Sequence, residues 1–408
     1  MFIRTYPRAV FTALVFLFLF TTSTVAFAQA PTAGQVLISE FRARGPAGGF
    51  DEFIELYNNT DAAITVNDPT PPATGTAGWA VVTKEGVLFV VPNGTVIPAR
   101  AHFLGVNKEP TFGTFYTLDA YPAGNTRTAT GDINYSVPGI YDGGGIALFN
   151  TANPTNFTLA NRLDAVGFTT ALPLFREGAG LRSLGLQNLE QSYYRDLAGG
   201  SPKDTGDNAA DFVNVNTTGT FAGYLGRRLG APGPENLSSP IRHDGDIKSS
   251  LIDSCTGPGT CQNQLRDATP SPAQPNCSPL GTLTIRRRFT NNTVRSVTRL
   301  RFRVVDITTL GSPTGDGAQQ ADVRALTSAP SLVELSTGAT VLVEGTTLEQ
   351  PPVQPLCGGY NSSLSVDTIR LARPLPPGAS VNVQFLLGVV KEGAFRFVVS
   401  AEALTDAP

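Results

Sequence analysis

The chain has 408 residues, 41% apolar and only 15% charged, with 30 basic and 33 acidic side chains and a net charge of −3. One Met, one Trp and two histidines, His102 and His243, exclude a three-histidine metal centre. A near-neutral charge gives no overall polyanion-binding signature. The 42 glycines and 31 prolines follow no G-X-Y period, so they mark turns.

Taken in chain order, Arg4 and Arg8 precede an apolar run over 9–20, and small residues follow up to Ala26-Phe27-Ala28. This is the order of a secretory signal, with cleavage expected after Ala28. An apolar stretch of about 12 residues is too short to span a membrane core, and no later run approaches a span, so no integral membrane segment is expected after cleavage. Short apolar or alternating runs then recur at 36–41, 52–57, 79–83, 87–91, 102–106, 145–149 and 162–168, divided by Gly, Pro, Asn and Asp clusters. Residues 186–197 read equally as a short helix or a strand. Strands at this spacing predict an all-β protein built of sandwiches.

The string Val36-Leu37-Ile38-Ser39-Glu40-Phe41, then Asp51-Glu52-Phe53-Ile54-Glu55-Leu56-Tyr57-Asn58-Asn59, then Gly78-Trp79, resembles the opening of a lamin tail domain. The run 98–106 and the segments 143–150 and 162–168 are similar to its later strands, in the same order. The resemblance implies an immunoglobulin-like sandwich over 34–235, of the kind found as an accessory domain in exported bacterial proteins. The chain departs from that pattern by an insertion at 107–144 and by the unmatched stretch 171–235.

The residues carry a reading of their own. Phe53, Ile54 and Leu56 cannot share one face of a period-two strand, so residues 52–57 are expected to be covered on both sides. Glu40 and Glu55 then sit among apolar neighbours and must be hydrogen-bonded or paired, through turn amides or an arginine such as Arg42 or Arg44. Trp79 is expected to fill core, and His102, inside an apolar run, to be a strand side chain. His243 lies in a polar segment with no nucleophile nearby. Asp204, Asp207 and Asp211 offer oxygens that suit Ca²⁺, as do Asp244, Asp246 and Asp132 less well, but the spacing is not that of an EF-hand loop and also suits an Asx-rich turn. No other cofactor is expected.

Residues 236–279 read as a Pro- and Gly-rich linker, and 280–408 as a second immunoglobulin-like sandwich with strands near 282–289, 300–307, 323–327, 332–335, 340–343, 364–371, 380–387 and 394–401. Four cysteines in an exported chain imply two disulfides. Cys255 and Cys261 flank a Pro-Gly turn and are paired on that ground, leaving Cys277 with Cys357. Charge differs between the halves: residues 31–239 hold 13 basic and 19 acidic side chains, residues 240–408 hold 15 and 14. An acidic first half argues against nucleic-acid binding there. In the second half Leu300, Phe302 and Val304 alternate with Arg299, Arg301 and Arg303, and Arg286 and Arg288 precede the Asn291-Asn292-Thr293 turn. Read as a hairpin, the five arginines share an outer face, either solvated or meeting a polyanion.

No G-x-S-x-G elbow, H-E-x-x-H helix, Walker loop or dinucleotide fingerprint occurs. The sequence therefore predicts a secreted, non-catalytic binding or structural protein of the cell exterior, with an extracellular or envelope protein or polysaccharide as partner. The alternative is an accessory part of an extracellular hydrolase, or a cryptic hydrolase with its site in the insertion.

Overall fold

A computed structural model describes residues 31–109, 115–119, 130–136, 138–183, 187–197, 200–219, 227–255, 261–271, 274–309, 320–350 and 352–406. The expected signal segment lies outside the described residues, as do parts of the insertion. The fold is all-β: among the described residues 44% are strand and 4% helix, in multiple sheets with no closed barrel.

The first sandwich packs a seven-stranded sheet on a four-stranded one. The large sheet runs, edge to edge, Arg227–Leu229, Phe212–Asn216, Gln191–Arg195, Val36–Arg42, Phe53–Asn58, His102–Asn107 and Ile133–Tyr135. The small sheet runs Arg162–Gly167, Gly145–Phe149, Gly78–Thr83 and Gly86–Pro92. Their inner faces meet through Ile38, Phe41, Ile54, Leu56, Trp79, Val81, Phe89, Leu148 and Val166. Trp79 is fully buried, its Nε1 donating to the Asn67 carbonyl at 3.1 Å. The ambiguous 186–197 stretch is a strand at Gln191–Arg195, pairing on both sides. Residues 53–58 are buried on both faces. Part of their outer cover comes from the insertion, where Tyr116 and Leu118 pack on Phe53, Leu104 and Val106.

The second sandwich packs Ile241–Arg242, Phe397–Thr405, Val297–Ile307, Ser363–Ser365 and Thr347–Leu348 against Ile247–Ser250, Thr282–Asn291, Ser380–Lys391 and Asp322–Leu326. Gln264–Asp267 adds to the free side of Thr282–Asn291. The stretch read as a linker thus supplies three edge strands. Phe289, Leu300, Phe302, Val304, Phe385 and Leu387 form the core, with the Phe302 and Phe385 rings edge to face at 5.0 Å. Both expected disulfides form, Cys255–Cys261 and Cys277–Cys357.

The expected hairpin through Asn291-Asn292-Thr293 does not form. Thr282–Asn291 pairs with Ser380–Lys391, whereas Val297–Ile307 pairs with Phe397–Thr405 in the opposite layer. The loop crosses between layers because Asn291 Nδ2 donates to the carbonyls of Arg295 and Leu375, each at 2.9 Å, and ties the chain over the end of the sandwich. Phe289 and Phe302, 4.5 Å apart between ring centres, therefore face each other across the core. Arg286 and Arg288 lie in the opposite sheet from Arg299, Arg301 and Arg303.

The two sandwiches share buried surface. Tyr194, Val213 and Val215 of the first belong to the same apolar cluster as the second core. The Tyr360 amide donates to the Leu229 carbonyl at 2.8 Å. A Cβ on Gly230 would stand 2.0 Å from the Tyr360 carbonyl oxygen, so this close approach of backbones requires glycine.

Candidate functional site

The site begins with one extra residue. In Val36–Arg42 the side chains of Val36, Ile38 and Phe41 all join the core, which a strict period of two forbids. The register against Phe53–Asn58 slips between Ile38 and Glu40, a β-bulge at Ser39 that re-aims the side chains after it. Glu40 is thereby turned to the outer face, opposite Glu55, and the neighbouring strand carries His102 opposite Tyr57.

That outer face is covered by the second sandwich. In Val297–Ile307 the odd residues Arg301 and Arg303 point away from their own core, and Glu402 lies across from Arg301. Arg301 is 1% exposed and Arg303 2%. Arg301 pairs with Glu235 and, at 2.6 Å, with Glu402. Arg303 pairs with Glu235 and, at 3.2 Å, with Glu402. From the other side, His102 Nδ1 lies 2.9 Å from Glu55 Oε1 and its Nε2 lies 2.9 Å from Glu235 Oε2. Ser39 Oγ donates to Glu55 Oε1 at 2.5 Å, and the Glu235 amide donates to Glu55 Oε2 at 2.7 Å. Glu235, carried by the segment joining the sandwiches, is thus bound from both.

Four carboxylates, Glu40, Glu55, Glu235 and Glu402, with buried Glu349 as a fifth at 3.9 Å from Arg301, meet two guanidiniums and one imidazole, so acid is in surplus. Burial first, and then the charge of Glu55, push Glu40 up to about 8, against the hydrogen bonds it accepts from Ser192 Oγ and the Gly233 amide. Alone among the four, Glu40 has an oxygen, Oε2, with no hydrogen-bond partner among the described residues. Burial also pushes Glu402 up, but Arg301 and Arg303 outweigh it and hold the carboxyl below its ordinary value. The ligand atoms of Glu55, His102 and Glu235 lie close enough together to hold a metal ion. Their coordination is already taken: both His102 nitrogens face carboxylates, and Glu235 Oε1 faces both arginines. A cation added there would meet two guanidiniums in a low-dielectric site.

Beside this cluster lies a cavity of about 500 Å³, with His102, Glu235 and Glu402 in one wall. Tyr57 and Tyr194 line it from the first sandwich, Val305, Ile307 and Val398 from the second. Its cations are each matched by an acid: Arg228 with Asp196 at 3.5 Å, Arg242 with Asp244 at 2.6 Å and Arg396 with Asp306 at 2.8 Å. The Tyr57 ring leans on His102 at 5.0 Å, and burial raises its phenol above the usual range.

The residues expected to act from the sequence are scattered over this frame. Arg301 and Arg303 are inside the interface, so the common outer face imagined for polyanions does not exist. Arg286 bonds Gln384 and Gln262, and Arg288 bonds Asn382, on the far layer. Burial lowers the Arg299 guanidinium. Asp204, Asp207 and Asp211 do not converge as a set. Asp211 accepts from Thr205, and Asp207 caps the one-turn helix Asn208–Asp211. Asp204 converges instead with Asp164 and Glu177, where Arg195 sits on both Asp164 oxygens at 2.8 Å. Asp244 accepts from the Ala401 amide, and Asp132 from the amides of Leu104 and Leu237. His243 Nδ1 lies 3.7 Å from Asp246. Glu40 and Glu55 are buried and bonded as expected, but Arg42 and Arg44 serve Asp51 and Asp142 instead. Glu235 and Glu402 carried no sequence signal. One sits in a Pro-Gly run, the other is a single charge in an alternating strand, and only the tertiary pairing brings them together. No family model, curated protein or solved structure matches the chain.

Proposed function

We propose that this is a secreted, non-catalytic binding protein of the cell exterior, and that its ligand sits in the cavity between the sandwiches. The reading rests on one observation: a cavity of about 500 Å³ beside a buried ion cluster that ties its two walls together. Small-molecule sites favour junctions between domains and volumes of roughly 300–1,000 Å³. A preformed cleft also avoids the ordering cost of closing on a ligand. Because each arginine at this cavity already has an acidic partner, the walls offer donors and acceptors in balance, without net charge to neutralise. With Tyr57 and Tyr194 beside them, that lining suits a neutral hydroxyl-rich ligand, a saccharide of an extracellular polymer. The resemblance of the first half to a lamin tail domain, an accessory module in exported proteins, supports the same role, as do two disulfides.

The test is a glycan array followed by calorimetric titration of neutral oligosaccharides. Tyr57→Ala should weaken a bound saccharide at least tenfold. Absence of any glycan binding, or reproducible turnover of glycans or esters by the purified chain, overturns the reading.

A further inference from the structure

A second cavity, of about 670 Å³, opens between the two layers of the second sandwich. It exists because the sandwich is unzipped along one side. Ile241–Arg242 pairs with only Ala403 and Glu402 of Phe397–Thr405, so beyond residue 401 toward Phe397 that edge has no strand beside it among the described residues. The slot left between the layers is lined by Phe289, Phe385, Phe395 and Phe397, with Phe395 and Phe397 only half-buried.

One residue in this slot breaks the pattern of its strand. Leu283, Ile285 and Phe289 of Thr282–Asn291 face the interior, and alternation places Arg287 on the same face, where it lines the slot. Its Nη1 donates to the carbonyls of Arg286 and Asn263. Among the described residues no carboxylate stands within ion-pair distance of it, and burial alone acts on its charge. This differs from the cavity between the sandwiches, where each arginine has its acid. Arg287 is half-buried, and its guanidinium fork, without a counter-charge, is built for a carboxylate. Lys248 at the same opening adds positive potential.

We propose that this slot binds an anionic amphiphile, a single hydrocarbon chain ending in a carboxylate, with Arg287 on the head and the phenylalanines around the chain. Asp244 and Arg396 also line the slot but have partners of their own. The occupant is set by complementarity: phenylalanines beside two cations unmatched among the described residues, Arg287 and Lys248, ask for an apolar body with an anionic end. The slot shares Asp244, Arg396, Val398 and Val399 with the lining of the cavity between the sandwiches, but the proposal does not depend on a saccharide binding there.

Titration of the full mature chain with dodecanoate, dodecanol and acetate tests the proposal. Dodecanoate should bind below its micellar concentration, dodecanol at least tenfold more weakly, and acetate not at all. Shortening the chain from dodecanoate to octanoate should weaken binding about fourfold per methylene. Arg287→Met should bring dodecanoate down to the affinity of dodecanol. Ser249→Trp, which fills the slot from its exposed rim opposite Phe289, should abolish both. No binding of dodecanoate, equal binding of acid and alcohol by the wild type, or full binding by the folded Ser249→Trp variant overturns it.

Discussion

Two strands of the second sandwich carry arginines in runs, and their fates are opposite. On Thr282–Asn291, Arg286 and Arg288 point outward to side-chain amides, with Arg288 half-buried. On Val297–Ile307, Arg301 and Arg303 also point outward from their own core, yet a second sheet lies on top of them and both are buried among Glu235, Glu402 and, beyond these, His102 and Glu55. Alternation decides which face a side chain takes. It says nothing of what covers that face, and the covering sets the energy.

The difference can be broken experimentally. Arg301→Met leaves Glu402 and Glu235 buried with one cation fewer, and a buried pair broken from one side costs about 3–5 kcal/mol. Chemical denaturation should show a loss of that size. Removing Cys277–Cys357 by a double Ala variant opens a loop of 80 residues and should cost about 4 kcal/mol in the chain-entropy view. That loss falls first on the second sandwich, since both disulfides lie there, and non-reducing peptide mapping of the wild type should recover both pairs.

A third contrast is in pH. Glu40 holds its proton to about 8 in the folded chain against 4.5 in the unfolded one, chiefly through burial. Between these values the folded state binds the extra proton, so stability falls as pH rises from about 4.5 to about 8 and levels off above. Glu52, also pushed up to about 8 by burial, acts in the same window. Glu40→Gln keeps a neutral group and should make the slope shallower by at most one proton, about 1.4 kcal/mol per pH unit. The smallest effect belongs to the arginine run on Thr282–Asn291: Arg288→Ser loses one amide contact and should cost no more than about 1 kcal/mol.

The sequence carried the local half of this structure. The strands, the burial of 52–57 on both faces, Trp79 in the core and the pairing of the cysteines come from period, turns and spacing. So does the inward set Leu300, Phe302 and Val304. The site was legible only in pieces. Glu40 and Glu55 announced a need for partners, but the bulge at Ser39 that aims Glu40 shows itself only as Val36, Ile38 and Phe41 falling out of phase. The partners come from residues 235, 301, 303 and 402, far along the chain. The hairpin failed for a related reason: Asn291-Asn292-Thr293 reads as a turn, and whether a turn joins neighbours or layers depends on what the next strand pairs with.

The central claim is that the buried cluster couples the sandwiches into one unit, and Trp79 offers a direct probe. It is the only tryptophan, fully buried in the first sandwich, whereas Arg301 belongs to the second. Equilibrium unfolding of wild type and Arg301→Met should be followed by Trp79 fluorescence together with far-ultraviolet circular dichroism. Coupling predicts that the two wild-type transitions coincide and that Arg301→Met moves the Trp79 midpoint down with the rest. A Trp79 transition that stays at its wild-type midpoint while the second sandwich unfolds earlier would contradict it.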